Sequence, residues 1–240
     1  MHGTKIEVKG EKQTNNREDF LNNIATKLKR ERRKEVIKPA WKHQVQWELL
    51  KDKNIEDLIE IFARQCAKNN VTLKRVNKKQ LQDTLRETIL HYGGGPLISG
   101  RDSRYDEYQL TSLFKEMDMI DITKYDRDEA ISIAEKANIG ITFSEVTLAE
   151  SATVTLFHDR NKSRMISLLP TNYIALIPIE TIVPRLSYAT RMIHEKIQNK
   201  EAISSNITFV SGPSNSADIE STLVHGVHGP VGATYIIIDE

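Results

Sequence analysis

Apolar positions along the chain fall into two periods, one helical and one strand-like, and they alternate. Ile55, Leu58, Ile59, Phe62, Ala63 and Cys66 recur at helical spacing behind Asn54, an N-cap residue with Asp57 three positions on. Val71–Val76 then predicts a strand, and Asn77 caps a helix carrying Leu81, Leu85 and Ile89. Gly93-Gly94-Gly95-Pro96 ends that helix before a strand starting at Leu97-Ile98. The same alternation predicts a helix over Asp128–Ala137 and strands over Ile139–Phe143 and Ala152–Phe157, the last with Thr153 and Thr155 on one face. Tyr173–Ile177 is a nearly continuous apolar run, the signature of a strand covered on both faces. A helix follows with Ile193 and Ile197 on its apolar side, carrying Arg191, Met192, His194 and Lys196. Ile207–Val210 reads as a buried strand, with a short helix starting near Asp218 that puts Ile219 and Leu223 on one face. Ala233–Ile238 closes the series as an isoleucine-rich strand. Strand and helix in this rhythm predict an α/β fold, a largely parallel sheet flanked by helices. No internal repeat is evident.

The first 45 residues depart from this rhythm and read as a polar extension with a basic helix, leaving 46–240 as the α/β domain. Residues 1–40 hold eleven Lys or Arg against six Asp or Glu, a net of +5, so the remainder is −4. Phe20, Leu21, Ile24 and Leu28 share a helical face just before the basic run Lys27–Lys34. Three readings stay open for that run: a solvated helix end with cations at its C-terminus, a dock for an acidic partner protein, and a nucleic-acid arm. The aromatic interleaving and bulk basicity of a nucleic-acid binder are missing, so nucleic acid is not expected. No apolar run approaches the length that spans a bilayer, and the N-terminus lacks the apolar core of a secretory signal. A cytoplasmic protein is expected.

Candidate chemistry concentrates late in the chain. Ser211–Glu220, sequence SGPSNSADIE, is rich in glycine, hydroxyls and amides between a predicted strand and a predicted helix start. Such a turn either exposes unpaired N–H groups that favour a small anion, through Gly212, Ser214, Asn215, Ser216 and Asp218, or is an ordinary capped turn. Gly226–Pro230 follows, with His228 between glycines where backbone approaches a ligand closely and the imidazole acts as donor or acid; Gly229 belongs to the same approach. His225 reads better as a helix-end partner. Thr142–Ser151 is acidic and hydroxyl-rich, and invites Glu150 as a base with Glu145 as its polar neighbour; solvated acids in a connection are the alternative. Ligands of open α/β sheets bind outside the carboxyl ends of strands, so 142–151, 211–218 and 226–230 are expected to converge there, with Arg185 as a partner for a carboxylate or phosphate or as a surface ion pair.

Several chemistries are disfavoured by motif. One cysteine, Cys66, on an apolar helix face, excludes an internal disulfide and a self-contained four-thiolate iron–sulfur cluster, and suits a small core residue better than a nucleophile. No metal is expected: there is no H-E-x-x-H, and His225-x-x-His228 offers two ligands at most. The triple glycine precedes a strand instead of following one, the reverse of a dinucleotide fingerprint, and reads mainly as a turn. Neither a P-loop nor a nucleophile elbow is present.

The ordered set SGPSNSADIE, LVHGVHGP and ATYIIID, with Gly93–Pro96, Arg104–Tyr108, Thr142–Ser144, Leu148–Ser151, Ser167–Thr171 and Pro39–Trp41 upstream, resembles the lactate utilization protein C family of the lactate-utilisation (LUD) domain group. The resemblance runs from about residue 14 onward and excludes residues 1–13. It implies a domain similar to the sugar-phosphate isomerase and coenzyme A transferase-like superfamily. It also implies a part in oxidation of L-lactate to pyruvate, allowing growth on lactate, alongside two iron–sulfur proteins. With no redox carrier visible in this chain, the clusters are expected in those partners and no cofactor on this chain. Glu150 and His228 are then the catalytic candidates, and Ser144, Ser151, Gly212, Ser214, Asn215, Ser216, Asp218 and Gly229 the ligand-binding ones. Two other functions stay open: a stand-alone acyl-transfer or isomerase-type enzyme, and a non-catalytic adaptor of the complex.

Overall fold

The computed structural model describes residues 13–32, 40, 42–216 and 224–239. The chain divides into two compact units at Gln44/Val45. In the first, α1 (Gln13–Lys27) leaves Phe20 exposed, as is Leu28 just past its end, and Lys29 then turns into the left-handed region. Within the basic run, Lys29, Arg30 and Arg32 therefore follow the helix, while Arg33 and Lys34 lie outside the described residues.

The second unit opens with α2 (Val45–Glu48) and α3 (Ile55–Lys68), whose first turn is capped by Asn54 Oδ1 accepting from the Asp57 N–H at 2.9 Å. β1 (Val71–Asn77) and α4 (Leu81–His91) follow as expected. Asn77 Oδ1 accepts from the N–H groups of Lys79 and Gln80, so it caps a turn preceding the helix instead of the helix itself. Next come β2 (Leu97–Ser99), α5 (Arg104–Glu107), α6 (Thr111–Glu116), β3 (Ile120–Asp121), α7 (Arg127–Lys136) and β4 (Ile139–Phe143). A reciprocal capping box between Asp126 and Glu129 starts α7. Then β5 (Val146–Leu148), β6 (Thr153–His158), α8 (Met165–Leu168), β7 (Asn172–Pro178), β8 (Ile182–Val183), α9 (Leu186–Gln198), β9 (Asn206–Val210), β10 (Asn215–Ser216), β11 (Val224–His225) and β12 (Gly232–Asp239) complete the chain.

Six strands form one parallel sheet in the order β1-β12-β7-β4-β2-β3. The period-2 alternation of its central strands sends residues to two cores. Ile174, Leu176, Ile236 and Ile238 meet Leu81, Leu85 and Ile89 of α4 with Tyr105 and Leu113 from α5 and α6. Tyr173, Ala175, Tyr235 and Ile237 meet Leu58, Phe62 and Cys66 of α3 together with Val154 and Leu156 of β6. That second face is covered partly by another sheet, β8-β5-β6-β9, in which β6 is antiparallel to both neighbours. On the far side of this smaller sheet, Val146 and Leu148 pack on Ala189 of α9. Trp47 of α2 docks on α9, with the Tyr188 ring at 5.4 Å and the Arg191 guanidinium 3.5 Å over the indole.

The smaller sheet revises two expectations. Ile207–Val210 is an edge strand of it, with Phe209 exposed, and not a buried strand of the main sheet. The stretch 142–151, read as one connection, contains β5 and a 3-10 turn over Ala149–Ser151. The short helix expected near Asp218, with Ile219 and Leu223, falls outside the described residues.

Candidate functional site

In the parallel sheet β2 and β4 are neighbours whose onward connections run to opposite sides, β2 toward β3 and β4 toward β7. Their carboxyl ends therefore flank the topological switch point, where an open α/β sheet forms its ligand crevice. Four charged side chains meet there. Asp102 comes from the turn after β2, Arg104 from the first position of α5, Glu145 from the tight turn after β4, and Lys162 from the loop after β6. The Arg104 guanidinium donates to Asp102 Oδ1 at 2.9 Å, Asp102 Oδ2 at 2.6 Å and Glu145 Oε1 at 2.7 Å. Lys162 Nζ reaches the same two carboxylates, Asp102 at 3.0 Å and Glu145 at 2.7 Å. Two cations and two anions thus alternate around a ring.

Each member is held by its own element. Asp102 Oδ1 also accepts the Arg104 backbone N–H, an Asx turn that keeps the carboxylate facing the guanidinium. Arg104 donates further to the Ser144 carbonyl and lies 4.7 Å over the Phe143 ring. The loop bearing Lys162 is shaped by Asp159 Oδ1, which accepts the N–H groups of Asn161 and Lys162. That loop rests on bare backbone: a Cβ at Gly100 would collide with the Asn161 carbonyl, and one at Gly140 with the Ile166 carbonyl. Glycine at both positions lets 161–166 lie directly on the strand ends.

Burial alone would push the Asp102 carboxyl up, but the hydrogen bonds and charge of Arg104 outweigh it, with help from Lys162, and hold it down at about 2. Beneath the ring lies a small cavity of about 20 Å³, room for about one water, lined by Tyr105, Thr142, Phe143, Leu156, His158 and Ile166. The His158 imidazole is lowered by burial. Its Nδ1 donates to the Lys162 carbonyl, which can only accept, leaving Nε2 to accept from the Thr208 hydroxyl. A neutral ring thus braces the lysine loop. Across the Gly100–Asp102 turn a wider cleft, about 550 Å³, is lined by Arg101, Lys115 and Lys124 among others.

The expected convergence of three segments at the carboxyl ends is not what the topology produces. Of the three segments, only 142–145 stands there. The Ser144 hydroxyl is spent internally, donating to the Val146 carbonyl and accepting from Thr147. β5 leads away from the crevice, and Ser151 lies at the opposite, amino end, its carbonyl accepting from Asn69 just ahead of β1. Glu150 is bound by Arg185 Nε at 2.6 Å, and among the described residues no hydrogen bond or ion pair joins it to His228 or to 211–216. Residues 211–216 and 226–230 are also at the amino end, because they abut the starts of β1 and β12.

The N–H groups expected to be open to an anion there are used by the fold. Gly212 N–H donates to the Tyr235 hydroxyl at 2.8 Å, Ser214 N–H to the Pro230 carbonyl, Gly226 N–H to the Ser214 carbonyl, and His228 N–H to Ser214 Oγ. Asn215 and Ser216 form β10, paired antiparallel with β11, and Gly229 packs near Ser214. Of the described residues of this segment, the structure makes a clip that fastens the start of β12. Asp218 lies outside the described residues.

Sequence reading missed Asp102, Arg104 as a site residue, Lys162 and His158. One signal was available for the first two: a charged R-D-S-R run immediately after the apolar Leu97–Ser99, at a strand's carboxyl end.

The family model for the LUD domain matches residues 59–238. The chain belongs to the LUD domain family. Full-length relatives agree: a protein named Lactate utilization protein C from Bacillus subtilis (strain 168) is 44% identical over 94% of this chain and 97% of its own length. Its counterpart of the same name from Geobacillus sp. (strain WCH70) is 43% identical over 94% and 96%, and that from Anoxybacillus flavithermus (strain DSM 21510 / WK1) 45% over 93% and 99%. A crystal structure of a DUF162 family protein from Deinococcus radiodurans matches with a TM-score of 0.57 at 15% identity, over 78% of this chain and 99% of that one, a likeness of fold. The LUD domain here is thus a parallel sheet backed by a second, smaller sheet, with a charged ring at its switch point. Among its described residues no group of three His, Cys, Asp or Glu side chains is placed to hold a metal ion, and no helix is long and apolar enough to cross a membrane.

Proposed function

We propose that this LUD-domain protein serves lactate utilisation in the cytoplasm, taking part in the oxidation of L-lactate to pyruvate as a subunit that binds ligand but carries no redox centre. The observation that carries this reading is the 43–45% identity, over nearly the whole chain, to proteins named Lactate utilization protein C. Oxidising lactate to pyruvate releases two electrons and two protons, which require a carrier. This chain has one cysteine, and burial pushes its thiol up to about 12, far from the thiolate a cluster would ligate. Two iron–sulfur proteins are therefore proposed as the partners that take the electrons. The switch-point crevice, with Arg104 and Lys162, is the proposed ligand site of this subunit. Anaerobic, L-lactate-dependent dye reduction by the two iron–sulfur partners, with and without this protein, tests the reading. Activity that collapses without the chain and returns on adding it supports the proposal; equal activity in both arms refutes it.

A further inference from the structure

A second opening lies across the Gly100–Asp102 turn from the charged ring. β2 and β3 run parallel with their last residues, Ser99 and Asp121, paired, so the carboxyl ends of both strands open into one cleft of about 550 Å³. That volume falls within the roughly 300–1,000 Å³ typical of small-molecule sites. Three cations line it from three elements: Arg101 from the turn after β2, Lys115 from α6 and Lys124 from the 3-10 turn Ile122–Lys124 after β3. Their donors are largely unspent. Among the described residues the Arg101 side chain uses only Nε, on Asp121 at 3.0 Å, and Lys115 and Lys124 have no hydrogen-bond or ion-pair partner.

The acids of the same lining are turned to their own chain. Asp121 also accepts the Thr123 N–H and hydroxyl, Asp106 accepts the Thr111 hydroxyl, and Asp102 is balanced within the ring. Arg101 and Asp121 offset each other, which leaves Lys115 and Lys124 against Asp106, an excess of positive charge and a surplus of donors. Phe114 and Met119 make the apolar part of the wall.

We propose that this cleft binds a small phosphate monoester with an apolar body. A phosphate monoester carries about −1.5 to −2 near pH 7 and presents three acceptor oxygens. Cations on three sides can each meet one of them, whereas a planar carboxylate offers two. The body lies against Phe114 and Met119. The cleft uses none of Arg104, Glu145 or Lys162, so the inference goes beyond the role proposed for the switch-point crevice and does not depend on it.

Isothermal titration of the full chain with phenyl phosphate, inorganic phosphate and phenylacetate tests it. Phenyl phosphate is expected to bind most tightly, with inorganic phosphate weaker for want of a body and phenylacetate weaker for want of the third oxygen and the second charge. Lys115→Gln combined with Lys124→Gln removes two exposed cations and leaves the core untouched. It is expected to weaken phenyl phosphate about tenfold or more, the loss that accompanies hydrogen bonds to charged groups. Arg160→Gln combined with Arg164→Gln removes the same charge from a separate cleft and is expected to change the affinity less than about twofold, as screened charges do. Absence of phenyl phosphate binding in the parent overturns the proposal, as does full affinity in the lysine variant. An equal loss in the two double variants overturns it too, because it would mark a diffuse surface charge. Inorganic phosphate binding as tightly as phenyl phosphate removes the apolar body, and phenylacetate binding as tightly removes the phosphate; either result overturns the assignment.

Discussion

Replacing Arg104 by glutamine should separate the structural work of the charged ring from everything around it. The substitution deletes two charge-assisted bonds to Asp102, one to Glu145 and one to the Ser144 carbonyl, and the cation over Phe143. Removing one partner of a buried ion pair costs roughly 3–5 kcal/mol. Asp102 retains Lys162 at 3.0 Å, and Glu145 is partly solvated, so the lower end applies and a loss of about 3 kcal/mol is expected at pH 7. Much of that is visible as proton linkage. The Asp102 carboxyl falls from 3.8 to about 2 in the folded protein, a difference worth about 2 kcal/mol. Because the folded value is depressed, this stabilisation is complete above the unfolded value near 4 and is lost as pH falls toward 2. The gap between parent and Arg104→Gln should therefore narrow by about 1 kcal/mol between pH 5 and pH 3. Urea unfolding followed by circular dichroism across that range measures both quantities, and carboxylates that Arg104 does not touch cancel in the difference. A variant within about 0.5 kcal/mol of the parent at pH 7, or a gap that stays flat to pH 3, would refute the assignment of Arg104 as the partner that holds Asp102 ionised.

Other substitutions probe the parts that position the ring and the clip. Gly100→Ala drives a methyl into the Asn161 carbonyl, so it should cost about 2 kcal/mol in urea unfolding. Tyr235→Phe removes the hydroxyl that accepts from Gly212 N–H and donates to the Val210 carbonyl in a fully buried position. Two backbone groups lose their partner, and a loss of about 2 kcal/mol with faster amide exchange at Gly212 is the expected result. Cys66, 1% exposed and with its thiol pushed up to about 12, should not react with an aromatic disulfide reagent at pH 8 until the protein is unfolded, when one thiol per chain appears.

The main sheet was legible because its central strands are buried on both faces: Tyr173–Ile177 is apolar throughout and Ala233–Ile238 is interrupted only by Thr234, and hydrophobic periodicity carries that information directly. The smaller sheet was not, since β5 is three residues long inside a hydroxyl-rich stretch, and nothing local in Ile207–Val210 says which sheet it joins. That one ambiguity moved the turn that follows Val210. Assigning Ile207–Val210 to the parallel sheet sends the following turn to the carboxyl end, beside Glu145; assigning it to the smaller sheet sends the same turn to the amino end, where its N–H groups hold down β12. Ser144 and Glu145 stay at the carboxyl end because β4 lies where its apolar run places it. Lys162 carries no mark of its own, and the charged run holding Asp102 and Arg104 does not name its partners: those of Arg104 and Lys162 lie up to 60 residues apart in sequence, and only the order of strands brings them together. A motif reading weighs residues by their local company, whereas this ring owes its composition to which strand ends are neighbours. A site of that kind becomes readable once strand order is known, by asking which charged residues follow the two strands that flank the switch point.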